Sequence, residues 1–277
     1  MSVILYTIVR IISQQFLRNG KRINIICLGE GIGEILIRFI YVILGNLHRI
    51  WMIPKMEYYA KHPEKYSEKF RYEYDKHAIR LMNHRGRIYT EAYGVENLPT
   101  EGGYVMFANH QGKYDALGIM LTHEKPCSIV MDDARSHMPL VKQFIDLVGG
   151  KRMKLDDLRQ AAGIIKEVAR EVKGGRKFII FPSGGYKHRN GNYVDPFKPG
   201  SFKSAMRARA PIVPVALVDS WKVFDLWSLR KVRTKVIYLK PLYYEDYKDM
   251  SSTEVCNLVY ERICNVVRAA QRNFSID

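Results

Sequence analysis

The chain has 277 residues, of which 47% are apolar and 26% charged, a composition ordinary for a globular protein with a buried core. Its 44 Lys and Arg residues against 28 Asp and Glu residues give a formal net charge of +16. This balance excludes an acidic solvating protein and favours a polyanionic partner: nucleic acid, an anionic lipid surface or a phosphorylated substrate. The four cysteines form no C-x-x-C pair, so we expect neither a disulfide framework nor a metal site. Such cysteine usage predicts a reducing compartment.

Residues 1–54 are predicted to be a helical segment at a membrane interface. The opening MSVILYTIVR lacks a basic start and a cleavage site, so no cleaved secretory signal is expected. In the window 28–47, eleven Leu, Ile, Val and Phe residues favour insertion by about 3 to 7 kcal/mol, whereas Glu30, Glu34 and Arg38 oppose it by about 7 to 10 kcal/mol. These charges would form one stripe of an apolar helix. We therefore predict a helix lying in the lipid interface, with Arg49 and Trp51 near the headgroups; the alternative is a helix packed in the protein core.

Residues 55–277 alternate helix-like and strand-like segments. Pro63 favours a surface helix over about 64–84, and a closing helix is predicted over about 252–271. The strand-like runs between them are RIYTEAYG, YVMFAN, CSIVMD, KFIIFP, APIVPVALVD and KVIYLK. Two prolines favour an edge of the sheet or a wall of a cleft, rather than a regular ladder, for the fifth run. The alternation predicts an α/β domain in which helices flank a mostly parallel central sheet.

The segment FANHQGKYDALG holds the first candidate site. His110 follows a strand-like run, and ligands of α/β sheets bind at the carboxyl ends of strands. Asp115, five residues on, can orient the imidazole of His110 and stabilise the imidazolium that forms when it takes a proton. The pair therefore predicts a general base without its own nucleophile; the alternative is a histidine that only caps the following helix.

Two glycine-led turns add positive charge. IIFPSGGYKHRNG follows an apolar strand and suits an anion held by backbone N–H groups and by cations. LVGGKRMKLDDLRQ forms a second such turn. The cations of the two turns are Lys187, His188 and Arg189 in the first, and Lys151, Arg152 and Lys154 in the second.

Taken in order, N-H-x-x-x-x-D, a glycine-led turn, F-P-x-G and P-x-x-P-V make residues 90–245 resemble the 1-acylglycerol-3-phosphate (lysophosphatidate) acyltransferases. The first motif is intact as Asn109, His110 and Asp115. The resemblance implies that His110, paired with Asp115, is the general base for direct acyl transfer from a thioester to the hydroxyl of lysophosphatidate, giving phosphatidate. It also implies a phosphate site made by the second and third motifs, and an amino-terminal helical pair embedded in one leaflet.

The resemblance also sets the expected partners. The donor is acyl-CoA or acyl carrier protein, the acceptor is a lysophospholipid, and the location is the cytoplasmic face of the cell membrane, in contact with membrane lipid. No cofactor or metal is expected. Nucleic acid is not expected as a partner either, because no nucleic-acid-binding signature accompanies the positive charge.

Two motifs depart from the family pattern. The third usually reads F-P-E-G-T-R, whereas here it reads Phe181, Pro182, Ser183, Gly184, Gly185 and Tyr186. The second usually ends in Asp-Arg, which here is Lys154 and Leu155. Ser183 is not expected to be a nucleophile, because Phe181 stands where a nucleophile elbow needs glycine. The residues predicted to bind substrate are Asn109, Gly112, Lys113, Arg152, Lys154, Phe181, Pro182, Ser183, Gly184, Gly185, Lys187 and Arg189.

These departures leave two alternatives open. One is an acyltransferase with a different hydroxyl or amine acceptor. The other is a lipid-binding relative without catalysis, although an intact His110 and Asp115 argue against it, since a binding protein needs no base.

Overall fold

The computed structural model describes residues 37–138, 140–186 and 191–272. Most of the predicted interface segment, including Glu30 and Glu34, lies outside these ranges. The location of that segment at a membrane and the domain division after residue 54 therefore stay predictions.

A seven-stranded sheet forms the centre of the described fold, in the order β1-β7-β6-β2-β5-β3-β4. Every strand pair is parallel except β6 with β7, which confirms the predicted α/β fold with a mostly parallel sheet. Because β6, β2, β5, β3 and β4 run the same way, the segments that follow them meet at one edge of the sheet. The strands are β1 Ile88–Tyr93, β2 Tyr104–Ala108, β3 Ser128–Asp132, β4 Lys151–Met153, β5 Lys177–Ile180, β6 Ile212–Val218 and β7 Val232–Tyr238.

Helices cover both faces of the sheet. Side chains alternate along β2, so Val105 and Phe107 join one buried cluster, whereas Tyr104 and Met106 join another on the opposite face. The α-helices are Ile37–Gly45, Met52–Lys61, Glu68–Gly86, Asp115–Thr122, Asp133–Ser136, Val141–Leu147, Leu158–Lys173, Lys203–Ala208, Lys222–Asp225, Tyr244–Tyr247 and Ser252–Arg272.

The surface helix predicted from Pro63 begins later, at Glu68. Ser67 is its N-cap, and the Ser67 hydroxyl oxygen accepts a hydrogen bond from the backbone N–H of Phe70. A serine cap satisfies a backbone donor that the first helical turn leaves unpaired, so Ser67 rather than Pro63 determines where this helix starts.

The edge position predicted for the proline-containing strand is wrong. β6 lies inside the sheet between β7 and β2, and all its residues are buried. Pro211 precedes the strand, and Pro214 lies one residue before the antiparallel ladder with β7 begins at Val215. Proline has no N–H to donate to a ladder. The carbonyl oxygen of Pro214 accepts a hydrogen bond from Leu239 N–H, and the antiparallel ladder starts at the next residue, Val215, which has an N–H.

Arg38 packs against protein rather than forming part of an exposed charged stripe. Its side chain is 1% exposed, and its guanidinium donates to the carbonyl oxygens of Gly86 at 2.6 Å, Ser228 at 2.5 Å and Arg230 at 2.8 Å. Burial lowers the pKa of Arg38 from its ordinary value. Because three carbonyl groups replace water around the guanidinium, this side of the helix is fixed to the α/β domain.

The opposite side of helix Ile37–Gly45 exposes apolar side chains. Ile40 and Leu44 are about half exposed, as are Ile50 and Trp51 just beyond the helix. No helix in the described ranges combines the length and the apolarity needed to cross a membrane.

Candidate functional site

The candidate site lies where the central strand β2 ends. β2 finishes at Ala108, and the helix that follows begins at Asp115. Residues 109–114 therefore form the connection at the carboxyl edge of the sheet, flanked by the segments that follow β6 and β5. His110 lies in this connection, at the strand end that the sequence predicts.

His110 and Asp115 are in direct contact. The Nδ1 atom of His110 lies 2.6 Å from Oδ2 of Asp115; the histidine side chain is 20% exposed and the aspartate side chain 1%. The same Oδ2 atom accepts hydrogen bonds from the backbone N–H groups of Gln111 at 2.5 Å and Gly112 at 2.9 Å. A carboxylate only accepts hydrogen bonds, so Nδ1 of His110 is the donor in this contact. In the neutral imidazole the lone pair then lies on Nε2, where a general base needs it.

A second buried histidine shows the contrast. His123 has no exposed surface; its Nδ1 lies 2.6 Å from the carbonyl oxygen of Lys125, and its Nε2 lies 2.6 Å from the hydroxyl of Tyr104. Burial lowers the pKa of His123 to about 4. Both ring nitrogens are occupied by core groups, so His123 is structural and His110 is the histidine suited to catalysis.

Asn109 and Gly112 hold the connection after β2 in place. Asn109 has no exposed surface, and its side-chain amide exchanges two hydrogen bonds with the backbone of Leu217, at 3.0 Å and 2.7 Å. The N–H of Gly112 is directed at Asp115, and a methyl group on Gly112 would lie 3.2 Å from Cα of Trp221. Asn109 therefore joins β2 to β6, and Gly112 allows the connection to pass close to Trp221, whereas substrate binding by these two residues stays a prediction.

Ser220 and Gln111 complete the surroundings of Asp115, and the sequence analysis missed both. The hydroxyl of Ser220 donates to Oδ1 of Asp115 and also lies 3.0 Å from Oε1 of Gln111. The amide nitrogen of Gln111 donates to Oδ1 of Asn192 at 3.0 Å. Ser220 comes two residues after Val218, the last residue of β6, and β6 runs parallel to β2. This position just beyond a strand end is the signal in the sequence that could have identified it.

The third motif places two aromatic rings against His110. The ring of Phe181 stacks on the imidazole with centroids 4.5 Å apart, and the ring of Tyr186 meets it edge-on at 4.7 Å. Tyr186 occupies the motif position that usually holds arginine. The imidazole is thus held between two rings, and one of them belongs to the departure from the family pattern.

The turn between these rings is held mainly by its own backbone. Gly184 adopts the left-handed conformation, with φ of 75°, and its N–H donates to the carbonyl oxygen of Phe181 at 3.0 Å. The hydroxyl of Ser183 donates to the carbonyl oxygen of Gly185 at 2.6 Å, and the carbonyl oxygen of Pro182 accepts from Lys198 N–H at 2.9 Å. Ser183 therefore stabilises the turn, and substrate contact by the residues of this turn stays a prediction.

The cations predicted from the second motif occupy different environments. The guanidinium of Arg152 donates to Asp146 at 2.6 Å and to Ser136 at 2.9 Å, so it holds β4 to neighbouring segments, and substrate binding by Arg152 stays a prediction. Lys154 and Lys113 are exposed. The remaining predicted cations, Lys187 and Arg189, lie outside the described residues.

Two other cations, absent from the sequence prediction, lie beside the third-motif turn. A methyl group on Gly184 would lie 3.1 Å from Nζ of Lys198, and one on Gly185 would lie 3.9 Å from a guanidinium nitrogen of Arg135. Both cationic side chains are exposed, and Arg135 lies 3.9 Å from Asp132. Arg135 comes from the segment after β3 and Lys198 from the segment after the turn, so only the fold brings them together.

Comparison with known proteins covers this same part of the chain. Residues 90–218 match the family model described as Acyltransferase. The 1-acyl-sn-glycerol-3-phosphate acyltransferase of Escherichia coli is 29% identical over 147 residues, which are 53% of this chain and 59% of that protein. The chloroplastic 1-acyl-sn-glycerol-3-phosphate acyltransferase BAT2 of Brassica napus is 27% identical over 158 residues, 56% of this chain and 45% of that protein. The chain thus spans about half the length of these relatives.

A solved structure extends the likeness to the fold. The crystal structure of the 1-acyl-sn-glycerophosphate (LPA) acyltransferase PlsC from Thermotoga maritima superposes with a TM-score of 0.65 at 18% identity, covering 87% of this chain and 97% of that one. The resemblance predicted from the motifs is therefore confirmed: residues 90–218 match the Acyltransferase family model, and this chain is similar in sequence to the 1-acyl-sn-glycerol-3-phosphate acyltransferases.

Proposed function

We propose that this protein transfers a fatty acyl group from an acyl thioester to the free hydroxyl of lysophosphatidate, producing phosphatidate for phospholipid synthesis. The observation that carries the proposal is His110, held through Nδ1 by a buried carboxylate at the end of β2. The similarity of residues 90–218 to acyltransferases supports the same reaction.

The proposed mechanism uses His110 as base and then as acid. Nε2 of His110 takes the proton of the acceptor hydroxyl as its oxygen attacks the thioester carbonyl carbon, and Asp115 stabilises the imidazolium. When the tetrahedral intermediate collapses, the carbon–sulfur bond breaks and the imidazolium returns the proton to the departing thiolate. The products are the acylated acceptor and a free thiol, with no acyl-enzyme intermediate.

The proposal is tested with the purified full chain in detergent or lipid, given labelled lysophosphatidate and long-chain acyl thioesters of coenzyme A and of acyl carrier protein in separate assays. We expect labelled phosphatidate, and the ratio of kcat/KM for the two thioesters identifies the donor. No acylated product with lysophosphatidate, with other lysolipids or with amine acceptors would reject acyl transfer and favour lipid binding without catalysis.

The acceptor phosphate is proposed to bind beside the third-motif turn, on Arg135 and Lys198. The arginine that the family pattern has at the position of Tyr186 is absent, and among the residues that the structure describes, Arg135 and Lys198 are cations next to Gly184 and Gly185. Guanidinium and ammonium groups bind phosphate through charge-assisted hydrogen bonds.

We expect Arg135→Ala and Lys198→Ala each to raise KM for lysophosphatidate about tenfold, with kcat within about threefold, because each removes one charge-assisted hydrogen bond to the phosphate. Steady-state kinetics with lysophosphatidate and with monoacylglycerol, which lacks the phosphate, measure the effect. Lys166→Ala, on the exposed side of helix Leu158–Lys173, is the matched control. Equal losses with both acceptors, or an unchanged KM in both variants, would contradict this phosphate site.

A different acceptor is the second candidate function. It is favoured by Tyr186, whose ring lies 4.7 Å from the imidazole of His110 at the motif position that usually supplies a cation. An acceptor with a neutral or amine-bearing head group would then react faster than lysophosphatidate in the same assay.

We also propose that the protein lies on the cytoplasmic face of the cell membrane, in contact with membrane lipid. The support is the exposed apolar side of Ile40, Leu44, Ile50 and Trp51, opposite the side that Arg38 fixes to the domain. Nζ of Lys55 lies 4.5 Å from the centroid of the Trp51 ring. An exposed apolar surface with a cation beside it suits the boundary between acyl chains and anionic headgroups.

Replacing both Ile50 and Trp51 with aspartate is expected to weaken binding to anionic phospholipid vesicles about tenfold, because two apolar anchors are lost and two negative charges face anionic lipid. Co-sedimentation of the full chain measures the effect. Tyr243→Asp, which alters an equally exposed aromatic residue before the helix Tyr244–Tyr247, serves as the control. Equal binding of the double variant and the wild type would exclude this surface.

A further inference from the structure

Ser220 is buried at the end of β6 with its hydroxyl directed at the carboxylate of Asp115. It is 2% exposed, and its hydroxyl reaches both Oδ1 of Asp115 and, at 3.0 Å, Oε1 of Gln111. The hydroxyl has one proton for these two acceptors, and the carboxylate oxygen of Asp115 is favoured because it is charged. The backbone N–H of Ser220 donates separately to Oε1 of Gln111 at 3.2 Å.

The backbone is strained at the residue that directs Ser220. Asp219 has φ of 63°, in the left-handed region that residues other than glycine seldom adopt. Asn192 holds this conformation: its amide nitrogen donates to Oδ1 of Asp219 at 2.9 Å, and its Oδ1 accepts from Asp219 N–H at 2.7 Å. Such strain persists only where the surroundings determine it, and here it turns the chain so that Ser220 faces Asp115.

The two carboxylate oxygens of Asp115 accept hydrogen bonds from different segments of the fold. Oδ2 accepts from His110 and from two backbone N–H groups of its own connection, whereas Oδ1 accepts from Ser220, two residues beyond the end of the neighbouring strand β6. A carboxylate held at one oxygen only can rotate about its Cβ–Cγ bond and move Oδ2 off the imidazole. The contact with Ser220 opposes that rotation.

We propose that Ser220 is a positioning residue for the base: by hydrogen bonding Oδ1 of Asp115, it keeps Oδ2 aligned with Nδ1 of His110. Asn192 and Gln111 extend the same hydrogen-bond network, which carries the alignment from the loop after the third motif to the catalytic pair. The expected effect of Ser220 on kcat rests on the proposed acyl transfer. The alignment of Asp115 with His110 rests on geometry alone.

Ser220→Ala is expected to lower kcat about tenfold or more while KM for both substrates stays within about twofold, since a charge-assisted hydrogen bond is lost at a group that does not touch substrate. Ser220→Thr, which keeps the hydroxyl, is expected to restore kcat to within about threefold of the wild type. Ser204→Ala is the control: Ser204 is equally buried, but its hydroxyl donates to the carbonyl oxygen of Ser201.

A spectroscopic measurement separates positioning from simple loss of structure. The Nδ1 proton of a histidine bound to a carboxylate gives a strongly downfield proton NMR signal, which His110→Gln identifies by removing it. We expect that signal to shift upfield or broaden in Ser220→Ala and to return in Ser220→Thr. A drop in kcat with the signal unchanged, no rescue by threonine, or a kcat within about twofold of the wild type would each overturn the proposal.

Two further results keep the test decisive. If Ser220→Ala fails to fold, Asn192→Ala, at the more accessible end of the network, is expected to lower kcat about threefold and to broaden the same signal; an unchanged signal and kcat there would count against the proposal. If the wild type acylates no acceptor, the proposed function fails, while the NMR signal still decides whether Ser220 positions the pair.

Discussion

His110→Ala is expected to lower kcat for acyl transfer about 10³-fold while leaving KM for lysophosphatidate within about threefold. A positioned general base contributes about 10²- to 10⁴-fold to such a reaction. The imidazole is in position for this role because its Nδ1 lies 2.6 Å from a carboxylate and its ring is held between Phe181 and Tyr186. Steady-state kinetics with saturating acyl thioester measure the loss.

The matched control is another histidine that contacts an aspartate. Nε2 of His137 lies 3.2 Å from Oδ1 of Asp133, but the pair is exposed and lies on the short helix after β3. His137→Ala is expected to keep kcat within about twofold. If His110→Ala retained a tenth or more of the wild-type kcat, the base would have to be sought elsewhere.

Asp115→Ala is expected to cost about 10³-fold in kcat, and Asp115→Asn about 10²-fold. Alanine removes both the charge that stabilises the imidazolium and the acceptor that orients it. Asparagine keeps its oxygen toward the backbone N–H groups of Gln111 and Gly112, which require an acceptor, so the tautomer of His110 is retained. The charge is lost, and the amide nitrogen replaces the oxygen that accepts from Ser220.

The two variants also differ in stability. Alanine leaves the buried N–H groups of Gln111 and Gly112 without an acceptor and removes the charged acceptor of Ser220, so we expect the free energy of unfolding to fall by about 2 to 4 kcal/mol, against about 1 to 2 kcal/mol for asparagine. Chemical denaturation followed by circular dichroism measures this, with Asp249→Asn, at an exposed position, as the control. Equal losses of kcat in the two Asp115 variants would show that orientation of the imidazole contributes nothing beyond charge.

The departures in the third motif acquire a physical meaning only in three dimensions. In the sequence, Ser183 and Tyr186 read as missing charges. In the structure, Ser183 closes a turn and Tyr186 packs against the imidazole of His110, while Arg135 and Lys198 bring positive charge to the same turn. The loss of a motif cation is therefore not the same as the loss of cations from the site.

The amino-acid sequence by itself determined the α/β class, six of the strands, the closing helix and the pair His110 and Asp115, because these depend on apolar periodicity and on partners five residues apart. Tertiary structure alone decided the interior position of β6, the burial of Arg38, the structural role of Asn109, and the contacts of Ser220, Arg135 and Lys198. Each of these depends on contacts between segments that are more than ten residues apart, most of them far more. Parallel strands bring such segments to one edge of the sheet, and local patterns carry no record of which segments will meet there.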